Sequence, residues 1–146
     1  MKRPSREKCL METARIWSER GTCLRAKVGC VISIEGRILS IGYGGAPKGL
    51  PHCLDQGCII NEKTGSCVRG IHSEANAISF AARNGVKILG ADLYVTMAPC
   101  ISCAQIIVAS GIKKVIYDKE YWDISPINYL EDSGVKICKY VEDEDD

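Results

Sequence analysis

The chain has 146 residues, 46% hydrophobic and 25% charged, the size and composition of one domain with a self-sufficient core, which excludes both a second sizeable domain and an intrinsically disordered chain. Nineteen Lys and Arg against 18 Asp and Glu leave a net charge of +1, too balanced for a protein that wraps a long nucleic acid. Residues 142–146 are all acidic, so the chain reads as a single domain over 1–141 followed by an acidic, disordered tail over 142–146. Lys2, Arg3, Arg6 and Lys8 crowd the other end, as a solvated terminus or a weak phosphate contact. No apolar run resembles a secretory signal or approaches the length of a membrane span, which points to the cytoplasm. Nine cysteines in that reducing compartment suggest metal binding rather than a disulfide framework.

Residues 5–20 place Leu10, Ala14 and Trp17 at helical spacing between charges and predict an amphipathic opening helix, with Gly21 as its stop. Residues 28–34 and 37–43 are rich in branched apolar side chains around Glu35 and Gly36, the pattern of a β-hairpin. From 44 to 70 glycine and proline recur and no period survives; so long a structureless stretch is usually a functional loop and needs a tether. A helix follows over 74–84, a strand over 91–96, a helix over 100–110 and a strand over 114–117. A short helix over 126–131 and a last strand over 135–140, an edge by its two lysines, complete the chain. Strand, helix, strand is the βαβ rhythm of a three-layer α/β/α domain with helices on both faces of a sheet. Cys9, Cys30 and Cys138 fall on these elements and read as small buried hydrophobes.

One constellation carries chemistry. His72 and Glu74 stand where the long loop becomes a helix, and Pro99, Cys100 and Cys103 where a strand becomes the next one. Two such helix starts can aim their first-turn side chains at one point, and their unpaired N–H groups favour thiolate at the cysteines. Pro99 suits a helix entrance because its missing N–H costs nothing there. A Cys-x-x-Cys pair plus one histidine can close on zinc at about 2.3 Å per sulfur and about 2.0 Å for nitrogen, leaving one position for an acidified water. Glu74 is the proton carrier in this reading: it takes a proton from the water, delivers it to N3 of a cytosine ring, and helps the C4 amine leave as ammonia. A purely structural zinc or a redox pair are the competing readings of the cysteines alone.

These residues resemble the cytidine and deoxycytidylate deaminase superfamily, most of all its deoxycytidylate (dCMP) deaminases. The likeness runs from about Leu10 to Val135 and includes KVGCVI at 27–32, GYGGAPKG at 42–49, HSEANAI at 72–78, FAARNG at 80–85, LYVTMAPCISC at 93–103 and GIKKVIY at 111–117. It implies a mixed five-stranded sheet, a homo-oligomer, often a hexamer, and conversion of dCMP to dUMP in pyrimidine nucleotide synthesis, in the host cytoplasm if the chain is phage-encoded. It also implies activation by dCTP and inhibition by dTTP, with Mg2+ accompanying the triphosphate, and a subunit or effector contact at Arg83. Ser73, Ala98, Pro99 and Tyr117 would surround the substrate, and Lys48 matches a position that is often basic. Two residues depart from the family pattern. Gly44 replaces an asparagine associated with holding the nucleotide, and it leaves room for a bulkier, 5-modified cytosine nucleotide. Ser73 replaces a near-isosteric alanine.

Cys53, Cys58 and Cys67 punctuate the long loop, and with His52 or Cys23 they could form a second, structural zinc site that supplies the tether; otherwise they are buried or solvent-facing thiols. Some phage relatives carry a second zinc bound partly by this loop. Lys48 and Arg69 are candidate phosphate contacts, and Tyr121 and Trp122 stand with Tyr117 as aromatics for a pyrimidine, or as core. Two rival functions use the same residues: an editing deaminase acting on tRNA adenosine or a polynucleotide cytosine, and a non-catalytic nucleotide sensor with a structural zinc. Charge balance disfavours the first and Glu74 the second.

Overall fold

The computed structural model describes residues 2–143. Along the chain run α1 (Arg6–Ser18), β1 (Gly29–Ile34), β2 (Arg37–Tyr43), α2 (Cys53–Gln56), α3 (Ser73–Arg83), β3 (Asp92–Met97), α4 (Ile101–Ala109), β4 (Lys114–Lys119), α5 (Ser125–Asp132) and β5 (Lys136–Lys139). The hairpin turns on Glu35 and Gly36, both at positive φ (53° and 76°), the backbone that matches the twist of its strands. The sheet order is β2-β1-β3-β4-β5; β1 pairs antiparallel with β2 and β3, and β4 pairs parallel with β3 and β5. No helix among the described residues is long and apolar enough to cross a membrane.

Because successive strand residues face opposite sides, the sheet has two separate cores. Val31, Tyr94 and Ile116 meet Leu10, Met11 and Ala14 of α1 on one face. On the other, Cys30, Ile32, Leu93, Val95 and Val115 meet Ala77 and Ala81 of α3, Ala104 and Ile107 of α4 and Leu130 of α5. Each large side chain buried here is worth about 1.5–3 kcal/mol over leaving it in water. The result is the expected three-layer sandwich around a mixed five-stranded sheet.

Three expectations differ in detail. Trp17 lies at the margin of the core, stacked on Tyr43 with centroids 6.1 Å apart; the buried stripe of α1 is Leu10, Met11, Ala14 and Ser18. Cys9 is exposed, and Cys138 on the edge strand only half-buried, whereas Cys30 is fully buried. The 44–70 segment is not structureless: it holds α2 and two isolated bridges, Gly45 with Ile71 and Ile60 with Cys67.

The acidic end also begins differently from a free tail. Both the Ser5 N–H and its hydroxyl donate to the Asp143 carboxylate at 2.9 Å, and Arg15 bridges Asp118 and Glu142, so residues 142 and 143 are tied to α1. Residues 144–146 lie outside the described residues.

Candidate active site

The site is assembled where two helices start. After β2 the loop is pinned by the Gly45–Ile71 bridge, which delivers His72 to the first turn of α3. A Cβ on Gly42 would lie 2.1 Å from the Ser73 carbonyl oxygen and 2.6 Å from the Ala77 nitrogen, so only glycine lets β2 carry that turn so closely. His72 is the N-cap of α3 and Cys100 the N-cap of α4, each in extended backbone and neither spending its side chain on a capping hydrogen bond. Their side chains turn to each other instead. His72 Nδ1 lies 3.3 Å from Cys100 Sγ and 3.4 Å from Cys103 Sγ.

These separations test the donor set for zinc. Tetrahedral coordination at about 2.3 Å for sulfur and about 2.0 Å for nitrogen spaces neighbouring ligand atoms about 3.5–3.8 Å apart. The three donors lie within 4.8 Å of one another and are the soft nitrogen and sulfur types zinc prefers, so they fit the ion with little movement. The Cys100 thiol is pulled well below its ordinary value by hydrogen bonding with Cys103 and His72, while the same pairing and burial push Cys103 up. Bonding to Cys100 raises His72.

Glu74 is 4% exposed. Burial raises its carboxyl above the ordinary value, partly offset by Ser73, whose hydroxyl donates to Oε1 at 2.6 Å. The serine is therefore more than a stand-in for alanine, because it fixes one carboxylate oxygen.

Beside these residues opens a cavity of about 670 Å³. Of the expected substrate contacts, Gly44, Ser73 and Ala98 line it together with His72, Glu74 and Cys100. Pro99 is fully buried behind the wall, Lys48 is exposed away from it, and Tyr117 packs against the core. The aromatics on the wall are Tyr121 and Trp122, tilted against each other with centroids 5.3 Å apart. Arg69 spends its Nε on the Gly57 carbonyl at 2.8 Å. Arg25, which sequence reasoning passed over, lines the cavity; its only signal was a position just before β1. Arg83 is exposed on the last turn of α3.

A second set of thiols converges nearby. Cys53, Cys58 and Cys67 offer sulfurs within 4.8 Å of one another, Cys53 and Cys67 being 3.6 Å apart, close to a zinc-site edge and far beyond the about 2.05 Å of a disulfide. Of the other two candidates, Cys23 stands outside the trio on the cavity wall, and His52 pairs its Nδ1 with Thr22 Oγ1 at 2.9 Å.

Comparison with known proteins agrees with this geometry. The family described as the cytidine and deoxycytidylate deaminase zinc-binding region matches residues 4–119. A deoxycytidylate deaminase of Enterobacteria phage T4 is 34% identical, with 88% of this chain and 86% of that protein covered. Another, from Mycobacterium phage D29, is 35% identical over 82% of this chain and 99% of its own length. The crystal structure of dCMP deaminase from the cyanophage S-TIM5 in complex with dCMP and dUMP superposes with a TM-score of 0.83 at 31% identity, covering 96% of this chain and all of that one. The chain thus belongs to the cytidine and deoxycytidylate deaminase family. Within that family, all three of these relatives are deoxycytidylate deaminases.

Proposed function

We propose that the protein hydrolyses dCMP to dUMP and ammonia. The observation that carries this reading is a buried carboxylate, Glu74, two residues from a His-Cys-Cys donor set at the wall of a nucleotide-sized cavity. His72, Cys100 and Cys103 would hold Zn2+, which when bound supplies a Lewis acid that makes water a nucleophile near neutral pH. Glu74 takes a proton from the attacking water, passes it to N3 as C4 becomes tetrahedral, and then assists departure of the amine. Its burial shields the proton transfers from bulk water, and the Ser73 hydroxyl holds one carboxylate oxygen. Tyr121 and Trp122 offer flat apolar surface for the base. The test is ammonia release across cytidine, CMP, dCMP, dCTP and 5-methyl-dCMP. Release is expected to be fastest with dCMP, and Glu74→Gln to lower turnover by about 100- to 10,000-fold; no release above the variant's level from any of the five would end the reading.

Finer points belong to the same proposal. A second zinc at Cys53, Cys58 and Cys67 is supported by the convergence of their sulfurs. Cytoplasmic location is supported by the free thiols of both clusters, which a reducing compartment preserves. Assembly into a hexamer, and control by dCTP and dTTP with Mg2+, rest on the family resemblance, and the exposed Arg83 on α3 is the residue through which a neighbour or effector would act.

A further inference from the structure

The loop thiols form a second reactive cluster that the proton transfers at Glu74 do not use. Cys53 and Cys67 bring their sulfurs to 3.6 Å, with Cys58 within 4.8 Å of both, and all three are reduced. Cys53 is buried at the start of α2, whereas Cys58 and Cys67 are partly exposed. A reagent from solvent therefore meets Cys67 first and finds Cys53 behind it, the arrangement of an attacked thiol beside a resolving one. Bonding the two needs only a local movement. Sulfurs in a disulfide stand about 2.05 Å apart, so this pair must close by about 1.5 Å. Little resists it: Leu54, Ile59, Ile60 and Val68 are 46–58% exposed, and Cys67 is held to Ile60 by an isolated bridge rather than a strand. The movement is felt at the cavity, because Cys53, Cys67 and the adjoining Thr64, Gly65 and Ser66 all line it.

We propose that Cys53 and Cys67 are a reversible oxidation site, bridged by hydrogen peroxide and reopened by thiols, and that the bridge weakens nucleotide binding in the cavity they line. The Cys67 thiolate attacks one peroxide oxygen and the O–O bond breaks, leaving a sulfenic acid on Cys67 and a hydroxide that takes up the proton Cys67 gave up. The Cys53 sulfur then attacks Cys67 Sγ, the S–O bond breaks, and the oxygen leaves as water with the Cys53 proton. Two thiols are oxidised and one peroxide is reduced to two waters. Metal binding and this bond exclude each other, because a disulfide sulfur is no longer a thiolate donor. Only the identity of the nucleotide rests on the deaminase reading.

The test treats the full chain with hydrogen peroxide, alkylates the remaining thiols and maps the peptides by mass spectrometry. Two of the nine thiols should be lost. They should appear in one linked pair of peptides that joins Cys53 to Cys67, about 2 Da lighter than the reduced peptides together, and dithiothreitol should restore both. Cys58→Ser should keep the link and Cys67→Ser should lose it. By calorimetry, the Kd for dUMP should rise about 10-fold when the parent is oxidised, recover on reduction, and stay within about twofold of its untreated value in peroxide-treated Cys67→Ser. That variant also separates the loop from oxidation of Cys100 and Cys103, which would weaken binding in both proteins. Circular dichroism checks that each variant is folded, and Cys53→Ser replaces Cys67→Ser should the latter not be. Cys53 and Cys67 found alkylated after treatment, or joined to other cysteines, overturn the site; an affinity for dUMP that the link leaves unchanged overturns its effect on the cavity. Failure of the parent protein to release ammonia from dCMP counts against the deaminase reading alone, since the mapped bond needs no turnover.

Discussion

Gly44 and Gly42 look alike in sequence and do opposite things. Gly42 has no room for a Cβ, whereas one added at Gly44 would meet nothing nearer than the Ile71 carbonyl oxygen at 3.9 Å, and its φ does not require glycine. The fold therefore tolerates a side chain at Gly44, and the space left open belongs to the cavity. Gly44→Asn is expected to melt within a few degrees of the parent and to lower turnover of 5-methyl-dCMP relative to dCMP; equal ratios in the two proteins would show that this space is not used for the base. Ser73 makes a related point. From sequence it is a tolerated replacement for alanine, yet its hydroxyl reaches the Glu74 carboxylate at 2.6 Å, a contact set by the first-turn backbone of α3 that residue type alone does not specify.

Among the elements, the 44–70 loop departs most from its expectation. Its apolar side chains Leu50, Leu54, Ile59, Ile60 and Val68 are 46–58% exposed, so burial contributes little to holding it. What holds it is two isolated bridges, two arginines that bond the Gly57 and Gly65 carbonyls, and three converging thiols. With zinc in both clusters the protein should contain two zinc ions per chain by elemental analysis. Cys58→Ser should lose one of them and make the loop more sensitive to limited proteolysis, while His72→Ala should lose the other. One zinc in the parent would leave the loop to its hydrogen bonds. Cysteine spacing marked the segment as a metal candidate, but the choice of Cys53, Cys58 and Cys67 out of five possible ligands required the turn at 59–68, where Val68 bonds Ile59 and Asn61 bonds Ser66.

For the whole molecule, the two ends of the chain meet at Ser5 and Asp143. The paired Ser5 donors hold the Asp143 carboxyl below its ordinary value of 3.8. The sign follows from that depression: the contact stabilises the folded protein at every pH above 3.8 and is lost as the pH falls below it, through the lower folded value. The Ser5 amide proton, followed by NMR, should therefore shift with a midpoint below 3.8, and Asp143→Ala should abolish that shift; a midpoint at or above the ordinary value would refute the tether. Acidic composition at 142–146 predicted solvation only, since nothing local to a run of carboxylates says that a serine far away in sequence will bond one of them.

The sequence by itself determined the layer architecture, the order of the elements outside the 44–70 loop and a His-Cys-Cys donor set with a nearby glutamate. Hydrophobic period, turn residues and helix-entrance residues are local properties, and they place His72, Glu74, Cys100 and Cys103 at two helix starts before any packing is known. Tertiary structure alone decided which surrounding residues share the cavity. It brought Arg25 to the wall and turned Arg69 aside, left Lys48 outside, and exchanged Tyr117 for Tyr121 and Trp122. Those choices depend on where an irregular loop and the segment before β1 come to rest against the sheet, a balance of long-range contacts that no local pattern records.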